Sequence, residues 1–321
     1  MIVLTGGAGF IGSVYLWKLN SRGVRDVLVV DEKDISDRGN NLAGKKYTDV
    51  MDKDAFIERI RIGHPPKGVT AVVHIGACAS TTVTDEAYVR KNNFEYTRDL
   101  ALWAVKNGIR FLYASSAATY GDGSLGSSDT HERIPDLRPL NLYGRSKQDF
   151  DLFALQKGLL DKIAGFKFFN VYGPNEYHKG DMKSVIAKSY EMIAREKAIR
   201  LFKSHRKEYG HGEQKRDFIY VKDAVEAVDY FLLHPEKNGL YNVGTGRART
   251  WNDLARALFA AMNLPVKIEY IDMPENIRGQ YQYFTEADTG KLRAAGYDRP
   301  FVSLEEGVRD YCHYLKERVY L

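Results

Sequence analysis

The chain has 321 residues, of which 44% are hydrophobic and 28% are charged, and its formal net charge is +5. This composition is typical of a globular protein and argues against disorder, while no apolar run approaches the ~18 residues of a membrane-spanning helix. The charge suits an anionic small molecule as well as nucleic acid. The densest basic stretch, residues 203–216, reads as one loop and not as a basic helix with interleaved aromatic residues. We therefore expect no nucleic-acid partner and no membrane partner.

Length and cysteine content bound the organisation of the chain. It is longer than the ~250–300 residues at which single cores stop growing, so two lobes are expected. It opens with MIVLTGG, an apolar strand without the basic segment of a signal peptide, which favours a cytoplasmic protein. The two cysteines, Cys78 and Cys312, are too few for a disulfide framework or a metal centre, so we expect both to be reduced and no metal site.

Short apolar runs alternate with helical patterns through the first half of the chain. The runs IVLTGG, VLVVDE, AVVHIG and FLYASS predict buried strands, whereas DKDAFIERI and NFEYTRDLALWAVKNG carry apolar residues at helical spacing. Strands and helices that alternate through short connections are the signature of an α/β fold with a doubly wound parallel sheet, the Rossmann architecture.

After Asn170 the pattern is less regular, and the loops are rich in Gly, His and Lys. We predict a dinucleotide-binding Rossmann domain over residues 1–170 and a smaller substrate-binding lobe mainly over residues 171–321. The runs RDFIYVKDAVEAV and GLYNVGTGRARTWNDLARAL, around residues 217–247, are expected to return to the sheet. Thr250, with Asp253 three residues later, predicts a capping box at the start of a helix.

The stretch TGGAGFIGS, residues 5–13, follows the first strand and opens a helix. Gly6, Gly9 and Gly12 allow a tight turn, a close backbone approach to a diphosphate, and close helix packing, while the helix N-terminus favours the negative charge. Asp31 ends the second strand at the spacing, about 20 residues, expected of a side chain that contacts the adenosine ribose. The sequence therefore predicts a dinucleotide-binding site.

The same end of the site bears on the choice between NAD and NADP. Asp31 and Glu32 would accept hydrogen bonds from a free 2′-hydroxyl and repel a 2′-phosphate, whereas Arg38 and Lys53 would neutralise that phosphate if their loops cover the adenosine. We take NADP as the cofactor, with NAD as the alternative.

The run NLYGRSK places Tyr143 and Lys147 four residues apart, on one face of a helix. A tyrosine releases its proton near pH ~10, but a neighbouring ammonium and a cationic nicotinamide ring both favour the phenolate. The pair would then deprotonate an alcohol while hydride leaves its carbon. Ser115 and Ser116 end the strand FLYASS, where a doubly wound sheet presents its ligands, and a serine there can donate a hydrogen bond to the reacting oxygen.

The glycine stretch, Ser116, and the pair Tyr143 and Lys147 together resemble the extended short-chain dehydrogenase/reductase family, whose members rework nucleotide-activated sugars. The runs FLYASSAATYG, FFNVYGPNEYHKGDMKSV, RDFIYV, YNVGTGRA, GQYQYFTEAD and LRAAGYD resemble, more narrowly, the members that epimerise an ADP-heptose at C6. Family members that eliminate water carry an Asp-Glu pair after the catalytic Ser or Thr, and here Ala117 and Ala118 stand there. The resemblance thus implies an epimerase that acts without water elimination.

The carbon C6 lies outside the sugar ring, and this position determines how many acid/base groups the reaction needs. Half a turn about the bond to the ring presents the opposite face of the ketone to the same nicotinamide, but it also moves the ketone oxygen. One acid/base cannot reach both positions, so a second proton donor is needed. The resemblance assigns that role to Lys179 of the HKG run, with Tyr143 serving the other half-reaction; the alternative is that Lys179 only holds a phosphate.

The resemblance also implies the residues that bind the ligands. The cofactor residues are Gly6, Gly9, Phe10, Ile11, Gly12, Asp31, Glu32, Arg38, Lys53, Ile75, Gly76, Ala77, Cys78, Ala79, Asn92, Lys147, Val171 and Lys179. The substrate residues are Ser116, Asn170, Asp181, Lys188, Phe202, Lys203, Ser204, His205, Arg216 and Tyr281. The cofactor is expected to be tightly bound, and the chain to form a homo-oligomer, a pentamer by this resemblance.

Three positions depart from the resembled pattern. Asp181 replaces a serine, and its carboxylate would be unfavourable beside a diphosphate unless Lys183 or Lys188 pairs with it. Lys188 replaces a histidine, and Ile75 replaces an acidic residue before Gly76.

Two alternative functions are another nucleotide-sugar enzyme of the same family, such as a UDP-hexose 4-epimerase, and a dinucleotide-sensing module on the same fold. The combination of Ser116, Tyr143 and Lys147 argues against the sensor, because a sensor needs no acid/base pair.

Overall fold

A seven-stranded parallel sheet organises the protein. The computed structural model describes residues 1–80, 83–278 and 281–321, so Gly279 and Gln280, which open the run GQYQYFTEAD, lie outside the described residues. The strands of the chain are β1 Ile2–Thr5, β2 Val27–Asp31, β3 Asp49–Asp52, β4 Ala71–His74, β5 Arg110–Ser116, β6 Ala164–Phe168, β7 Asn170–Tyr172, β8 Ile199–Phe202, β9 Lys215–Tyr220, β10 Gly239–Val243, β11 Ala248–Thr250 and β12 Ile268–Ile271.

The α-helices lie between these strands and after them. They are α1 Phe10–Ser21, α2 Lys53–Arg61, α3 Glu86–Val89, α4 Tyr96–Lys106, α5 Leu142–Gln156, α6 Val185–Glu196, α7 Val221–Leu233, α8 Trp251–Ala261, α9 Glu275–Arg278, α10 Gly290–Ala294 and α11 Leu304–Glu317. The predicted capping box is confirmed, because Thr250 and Asp253 bond reciprocally at the start of α8. Among the described residues, none of these helices has the length and apolar character needed to cross a bilayer.

The large sheet has the order β10-β6-β5-β4-β1-β2-β3, and every neighbouring pair is parallel. The predicted doubly wound α/β fold is confirmed. Its central strands β1, β2 and β4 consist of apolar residues up to their last position because helices cover both faces. Leu4 and Val29 pack under α1 and α7, whereas Val3 and Val30 face the side covered by α2, α4 and α5.

The order of the strands creates a crevice at the carboxyl edge of the sheet. The chain leaves β1 toward β2 on one side and later returns to β4 on the other side, which makes the ends of β1 and β4 the topological switch point. Open α/β sheets bind their ligands at such a point. Gly6 after β1 and Gly76 after β4 meet there so closely that a Cβ on Gly6 would lie 2.6 Å from the Cα of Gly76.

The second half of the chain adds two small sheets. β9 pairs with β7 and β11, and β8 pairs with β12. The expectation that RDFIY and GLYNV both return to the large sheet is therefore wrong for RDFIY, which forms β9. The edge position beside β6 is taken by β10, the GLYNV strand, so β9 extends β7 in a separate sheet. The division into two lobes near residue 170 stays a prediction.

Candidate active site

The glycine stretch forms a tight turn between β1 and α1. Gly6 has a φ of +67°, in the left-handed region that favours glycine. A Cβ on Gly12 would lie 2.0 Å from the carbonyl oxygen of Gly6, so the first turn of α1 approaches the loop as only glycine allows. Gly9 stands at the N-cap of α1. This cradle, open to the amide groups of a helix N-terminus, fits the diphosphate of a dinucleotide.

A cleft over this turn contains all the residues predicted for the cofactor except Lys147 and Val171. It is also lined by residues that the sequence analysis did not identify, namely Thr5, Val30, His74, Tyr88, Tyr96 and His178. Lys147 donates from its amine to the carbonyl of Ala114, and Val171, on β7, packs against the core. The cofactor-binding roles of these residues stay predictions.

Acidic and basic side chains meet at the adenosine end of the cleft. Asp31 is buried at the end of β2, and its carboxylate accepts hydrogen bonds from the amides of Ala8 and Glu32, each at 2.9 Å. Arg38 forms ion pairs with Asp31 at 3.1 Å and with Glu32 at 2.6 Å. Burial raises the pKa of Asp31, while these amides and Arg38 oppose the rise. Lys53 enters the same region and donates to Asn92 at 2.8 Å.

His74 forms the floor of the cleft at the end of β4. Its Nδ1 lies 2.6 Å from the Thr5 hydroxyl, and its Nε2 lies 2.8 Å from the Thr97 hydroxyl. Because Thr97 donates its own proton to the carbonyl of Asn93, Nε2 must donate to Thr97, and Nδ1 accepts from Thr5. Burial lowers the pKa of His74 to about 3, with Lys147 adding to the effect, so this histidine is neutral.

A π-helix, residues Arg90–Glu95, carries two asparagines between α3 and α4. Asn92 lines the cleft, whereas Asn93 is buried behind it. The Asn93 side chain accepts from the amide of Cys78 at 2.8 Å and donates to its carbonyl at 3.0 Å. It also donates to the Ser146 hydroxyl at 2.9 Å. Asn93 thus joins the loop after β4 to the helix of the catalytic residues, a typical use of a π-bulge near a functional site.

Three of the four predicted catalytic residues, Ser116, Tyr143 and Lys147, come together where β5 ends and α5 begins. Ser116 is the last residue of β5, and its side chain lies close enough to Tyr143, in the first turn of α5, to lower the pKa of that tyrosine. The amine of Lys147 lies 5.9 Å from the centroid of the Tyr143 ring and donates to the carbonyl of Ala114 at 2.8 Å. Burial lowers the pKa of Lys147 to about 8.

The protein alone does not make Tyr143 a base. Burial raises the pKa of Tyr143 above its ordinary value, and the neighbouring Ser116 side chain opposes this only in part. The prediction that Lys147 and a bound nicotinamide ring together favour the phenolate stays a prediction; the Lys147 amine bonds to the carbonyl of Ala114 and lies 5.9 Å from the centroid of the Tyr143 ring. A cation bound in the cleft is needed to reverse the shift.

Lys179 lines the cofactor cleft and lies in a short 3₁₀ helix, Tyr177–Met182, on the loop that follows β7. Its amine lies 5.2 Å from the centroid of the Phe10 ring, over the first turn of α1. Burial lowers the pKa of Lys179, Glu176 raises it, and Lys188 lowers it. The neighbouring His178 also lines the cleft, and burial lowers its pKa to about 4.

An aromatic cluster surrounds Arg216 in the second half of the chain. The guanidinium lies 5.3 Å from the Tyr281 ring and 5.8 Å from the Trp251 ring, and the Trp251 indole donates to the Tyr281 hydroxyl at 2.9 Å. Phe202 packs edge-on against Tyr281 at 6.3 Å between centroids. Arg216, Phe202 and Tyr281, three predicted substrate residues, therefore form one group, in which cation–π contacts orient the arginine.

Trp251 belongs to this group, and the sequence analysis missed it. The capping box placed Trp251 at the first position of α8, but its neighbours depend on a strand pairing that spacing does not reveal. β11 runs antiparallel to β9 with Arg249 opposite Arg216, which brings the next turn of chain over the arginine. A tryptophan directly after a capping residue was the available signal.

The other predicted substrate residues lie on loops and surfaces. Asn170, exposed, begins β7. The residues after β8 are held by neighbours: Lys203 pairs with Asp272 at 3.3 Å, the Ser204 hydroxyl donates to Arg206 at 2.8 Å, and the His205 amide donates to Tyr283 at 3.0 Å.

The two lysines expected beside the Asp181 carboxylate are engaged elsewhere. Lys188 donates to the backbone carbonyl of Asp181, and Lys183 pairs with Glu191 at 3.1 Å. Neither lysine amine bonds to the Asp181 carboxylate in the structure, and pairing in the presence of a diphosphate stays a prediction. Asp181 and Lys188 are both exposed.

Comparison with known proteins places the chain among enzymes of sugar metabolism. A family model described as the NAD dependent epimerase/dehydratase family matches residues 2–244. A protein of Nitratidesulfovibrio vulgaris named ADP-L-glycero-D-manno-heptose-6-epimerase is 54% identical over 97% of this chain and 96% of its own length. A protein of the same name from Fusobacterium nucleatum is 45% identical over 100% of both chains. The crystal structure of the Helicobacter pylori protein of that name is 27% identical, covers 98% of this chain and 96% of its own, and has a TM-score of 0.80. The chain belongs to the NAD dependent epimerase/dehydratase family.

Proposed function

We propose that this protein is an ADP-glyceromanno-heptose 6-epimerase, which interconverts the D-glycero and L-glycero forms of the sugar at C6. The observation that carries the proposal is that two groups able to transfer a proton border the cofactor cleft from different elements: Lys179 lines the cleft, and Tyr143 lies near Cys78, which also lines it. Tyr143 comes from α5, and Lys179 comes from the loop after β7 and reaches over Phe10. The names of relatives that are 45% and 54% identical agree with this substrate.

The first half-reaction uses Tyr143, Lys147 and Ser116. A nicotinamide dinucleotide in the cleft supplies the acceptor and donor of hydride. Tyr143 takes the proton of the C6 hydroxyl, Ser116 donates a hydrogen bond to the same oxygen, and the charge of Lys147 favours the phenolate. The product is a 6-keto sugar that stays bound.

The second half-reaction uses Lys179. Rotation about the bond that joins C6 to the ring turns the opposite face of the ketone toward the same hydride donor, and the oxygen then lies near a different protein group. Lys179 donates the proton to that oxygen as hydride returns. Burial already lowers the pKa of Lys179, so its proton is released more readily than that of a solvated lysine.

Two alanines support epimerisation without loss of water. Ala117 and Ala118 follow Ser116 directly, so the position of the acid and base used by dehydratases is apolar. The ketone therefore has no neighbouring carboxylate at this position to remove a proton and expel an adjacent hydroxyl. It is returned to an alcohol.

For the cofactor we propose NADP, with NAD as the alternative that the test must distinguish. Arg38 and Lys53 supply two positive charges beside the adenosine end of the cleft, as a 2′-phosphate requires. In the free protein Arg38 is held by Asp31 and Glu32, so binding of NADP exchanges these carboxylates for the phosphate.

For the substrate we propose that Arg216 binds the diphosphate and that Phe202, Tyr281 and Trp251 surround the nucleotide. The fork of the guanidinium can hold phosphate oxygens in pairs, and aromatic rings offer stacking surfaces. The product would serve as a precursor of the lipopolysaccharide inner core. We further propose a cytoplasmic homo-oligomer.

The test uses the holoenzyme and each C6 epimer of the ADP-heptose separately, and it follows transient formation of reduced nicotinamide by absorbance. Lys179→Met should slow reduction by one epimer by roughly a hundredfold and leave the other epimer within about twofold. Tyr143→Phe should show the reverse preference. Lys183→Met, a nearby lysine paired with Glu191, is the matched control.

Equal losses for both epimers with Lys179→Met would assign that lysine to phosphate binding. Turnover of a UDP-hexose alone would instead support a 4-epimerase.

A further inference from the structure

We propose that residues 319–321 are a positioning segment for Lys179, which they hold in place through Asn175 and Tyr177. The inference rests on the proposed role of Lys179 as the second acid/base. It assigns a function to a segment far from the reacting atoms in sequence and adds two side chains, Asn175 and Tyr177, to the set that the reaction needs.

Asn175 is the centre of the contact. It is fully buried and has a φ of +76°, an unusual conformation for a residue other than glycine. Its side-chain oxygen accepts from the amide of Leu321 at 2.9 Å, and its side-chain nitrogen donates to the Ser13 hydroxyl at 3.0 Å. The carbonyl of Asn175 accepts from Asn41 at 3.1 Å. A strained residue persists where its surroundings fix it, and here the surroundings include Leu321.

A second set of contacts adds to the first. The Tyr177 hydroxyl donates to the carbonyl of Val319 at 2.9 Å, and the Tyr177 ring meets the Tyr320 ring edge-on at 5.0 Å between centroids. The carbonyl of Leu321 accepts from the amine of Lys45. Residues 319–321 thus bond to two of the four positions that precede Lys179.

The loop that carries Lys179 depends on such contacts. Its other end, at Ser184, is fixed by the buried Glu176. The Glu176 carboxylate accepts hydrogen bonds from the amide and the hydroxyl of Ser184, at 2.5 and 2.6 Å. Between these points lies Gly180, with a φ of +50°, and a Cβ there would meet nothing within 4 Å. The Asn41 side chain, which lies 3.3 Å from the Nδ1 of His178, also holds this segment, so the contacts of residues 319–321 act together with it in placing Lys179.

Hydrogen bonds that do not involve residues 319–321 hold the glycine turn of the cofactor cleft. Ala8 donates to Asp31 at 2.9 Å, and Gly9 donates to Gly6 at 3.0 Å. Removal of residues 319–321 leaves these bonds in place, together with the bonds from Asn175 to Ser13 and from Asn41 to Asn175. Loss of the segment should therefore act on Lys179 and not on cofactor binding. A displacement of about 1 Å in a catalytic group can cost on the order of a hundredfold in rate.

The experiment compares a chain that ends at Arg318 with the intact holoenzyme, one C6 epimer at a time, by transient formation of reduced nicotinamide. We expect the epimer that is sensitive to Lys179→Met to react at least about tenfold more slowly, while the other epimer and the cofactor affinity change by no more than about twofold. Val319→Ala is the matched control, because the contact uses the backbone carbonyl of residue 319 and the Val319 side chain is exposed, and it should behave as the intact protein.

Two further variants decide the question if the shortened chain does not fold. Asn175→Gly keeps the left-handed backbone accessible but removes the amide, and Tyr177→Phe removes one hydroxyl; both should slow the same epimer selectively. Equal slowing of both epimers, or no selective slowing in either variant, overturns the inference. If Lys179→Met itself shows no preference between epimers, the proposed function of Lys179 has failed, and this outcome is separate from the first.

Discussion

Lys147 and Asp151 lie one turn apart on α5, and Asp151 raises the pKa of Lys147 against the larger lowering that burial causes. Neither side chain of the Asp151 and Lys167 ion pair, 2.8 Å long, is exposed to solvent. Asp151 also accepts from the hydroxyls of Tyr113 at 2.9 Å and Ser115 at 2.7 Å. A fully bonded buried carboxylate therefore lies directly behind the catalytic residues.

Lys167→Met should lower the free energy of unfolding by about 3 kcal/mol or more, because it leaves the Asp151 carboxylate buried without its cation. Denaturant unfolding measures the change. The double variant Asp151→Asn with Lys167→Met should recover part of the loss, since it removes both charges. A single variant as stable as the parent would show that the two hydroxyls are sufficient to stabilise the carboxylate.

Asp151→Asn should move the alkaline limb of the pH profile toward lower pH. Lys147 carries its charge below its pKa, which is about 8, and Asp151 is the group that raises this value. Without Asp151 the pKa falls, so Lys147 loses its charge at a lower pH and the rate declines earlier as pH rises. The profile is measured as nicotinamide reduction by the Tyr143-dependent epimer. Asp149→Asn, on the same helix, is the control and should leave the limb in place.

The sequence predicts those parts of the site that are contiguous in the chain. The glycine turn, the Tyr143 and Lys147 spacing, and the serine at the end of β5 are each set by one strand and one helix, so spacing alone locates them. Trp251 beside Arg216 depends on the pairing of β11 with β9, and Asn175 beside Leu321 depends on contacts across nearly half the chain. Local patterns carry no information on such pairings. The direction of the Tyr143 pKa was also beyond the sequence, because it depends on burial.

Protonation of His74 should destabilise the fold in acid. The pKa of His74 is about 3 in the folded protein, below the ordinary value of 6.5, because the ring is buried. The unfolded chain therefore binds more protons between these values, and the stability present above pH 6.5 is lost as pH falls toward 3, by an amount on the order of 5 kcal/mol. His74→Gln should make the acid side of the stability curve shallower. His64→Gln, at an exposed histidine, should not, and an identical slope in both variants would contradict the assignment.

Arg216→Lys should raise the KM for the sugar nucleotide and lower kcat/KM by roughly 10- to 100-fold. Lysine keeps the charge but loses the planar fork and its contacts with Trp251 and Tyr281. Cofactor affinity should change by less than about twofold, because Arg216 lies outside the cofactor cleft. Arg249→Lys, opposite Arg216 in the strand pairing, is the control. A loss of cofactor binding in Arg216→Lys would mean that the arginine supports the cleft and not the substrate.

Arg38→Ala should weaken the binding of NADP by roughly tenfold or more while leaving the affinity for NAD within about twofold. A charge-assisted hydrogen bond to a 2′-phosphate contributes about 1.5 to 3 kcal/mol, and NAD has no group at that position to lose it. In the parent protein Arg38 must exchange its bonds to Asp31 and Glu32 for those to the phosphate.

Glu32→Gln should therefore strengthen NADP binding, because it removes both a competitor for Arg38 and a charge that repels the phosphate. Titration of each dinucleotide into the apoprotein, with Lys33→Ala as a control at an exposed neighbour, measures these changes. If the parent protein binds NAD more tightly and Arg38→Ala weakens both dinucleotides alike, Arg38 orders the loop around the ribose and the cofactor is NAD.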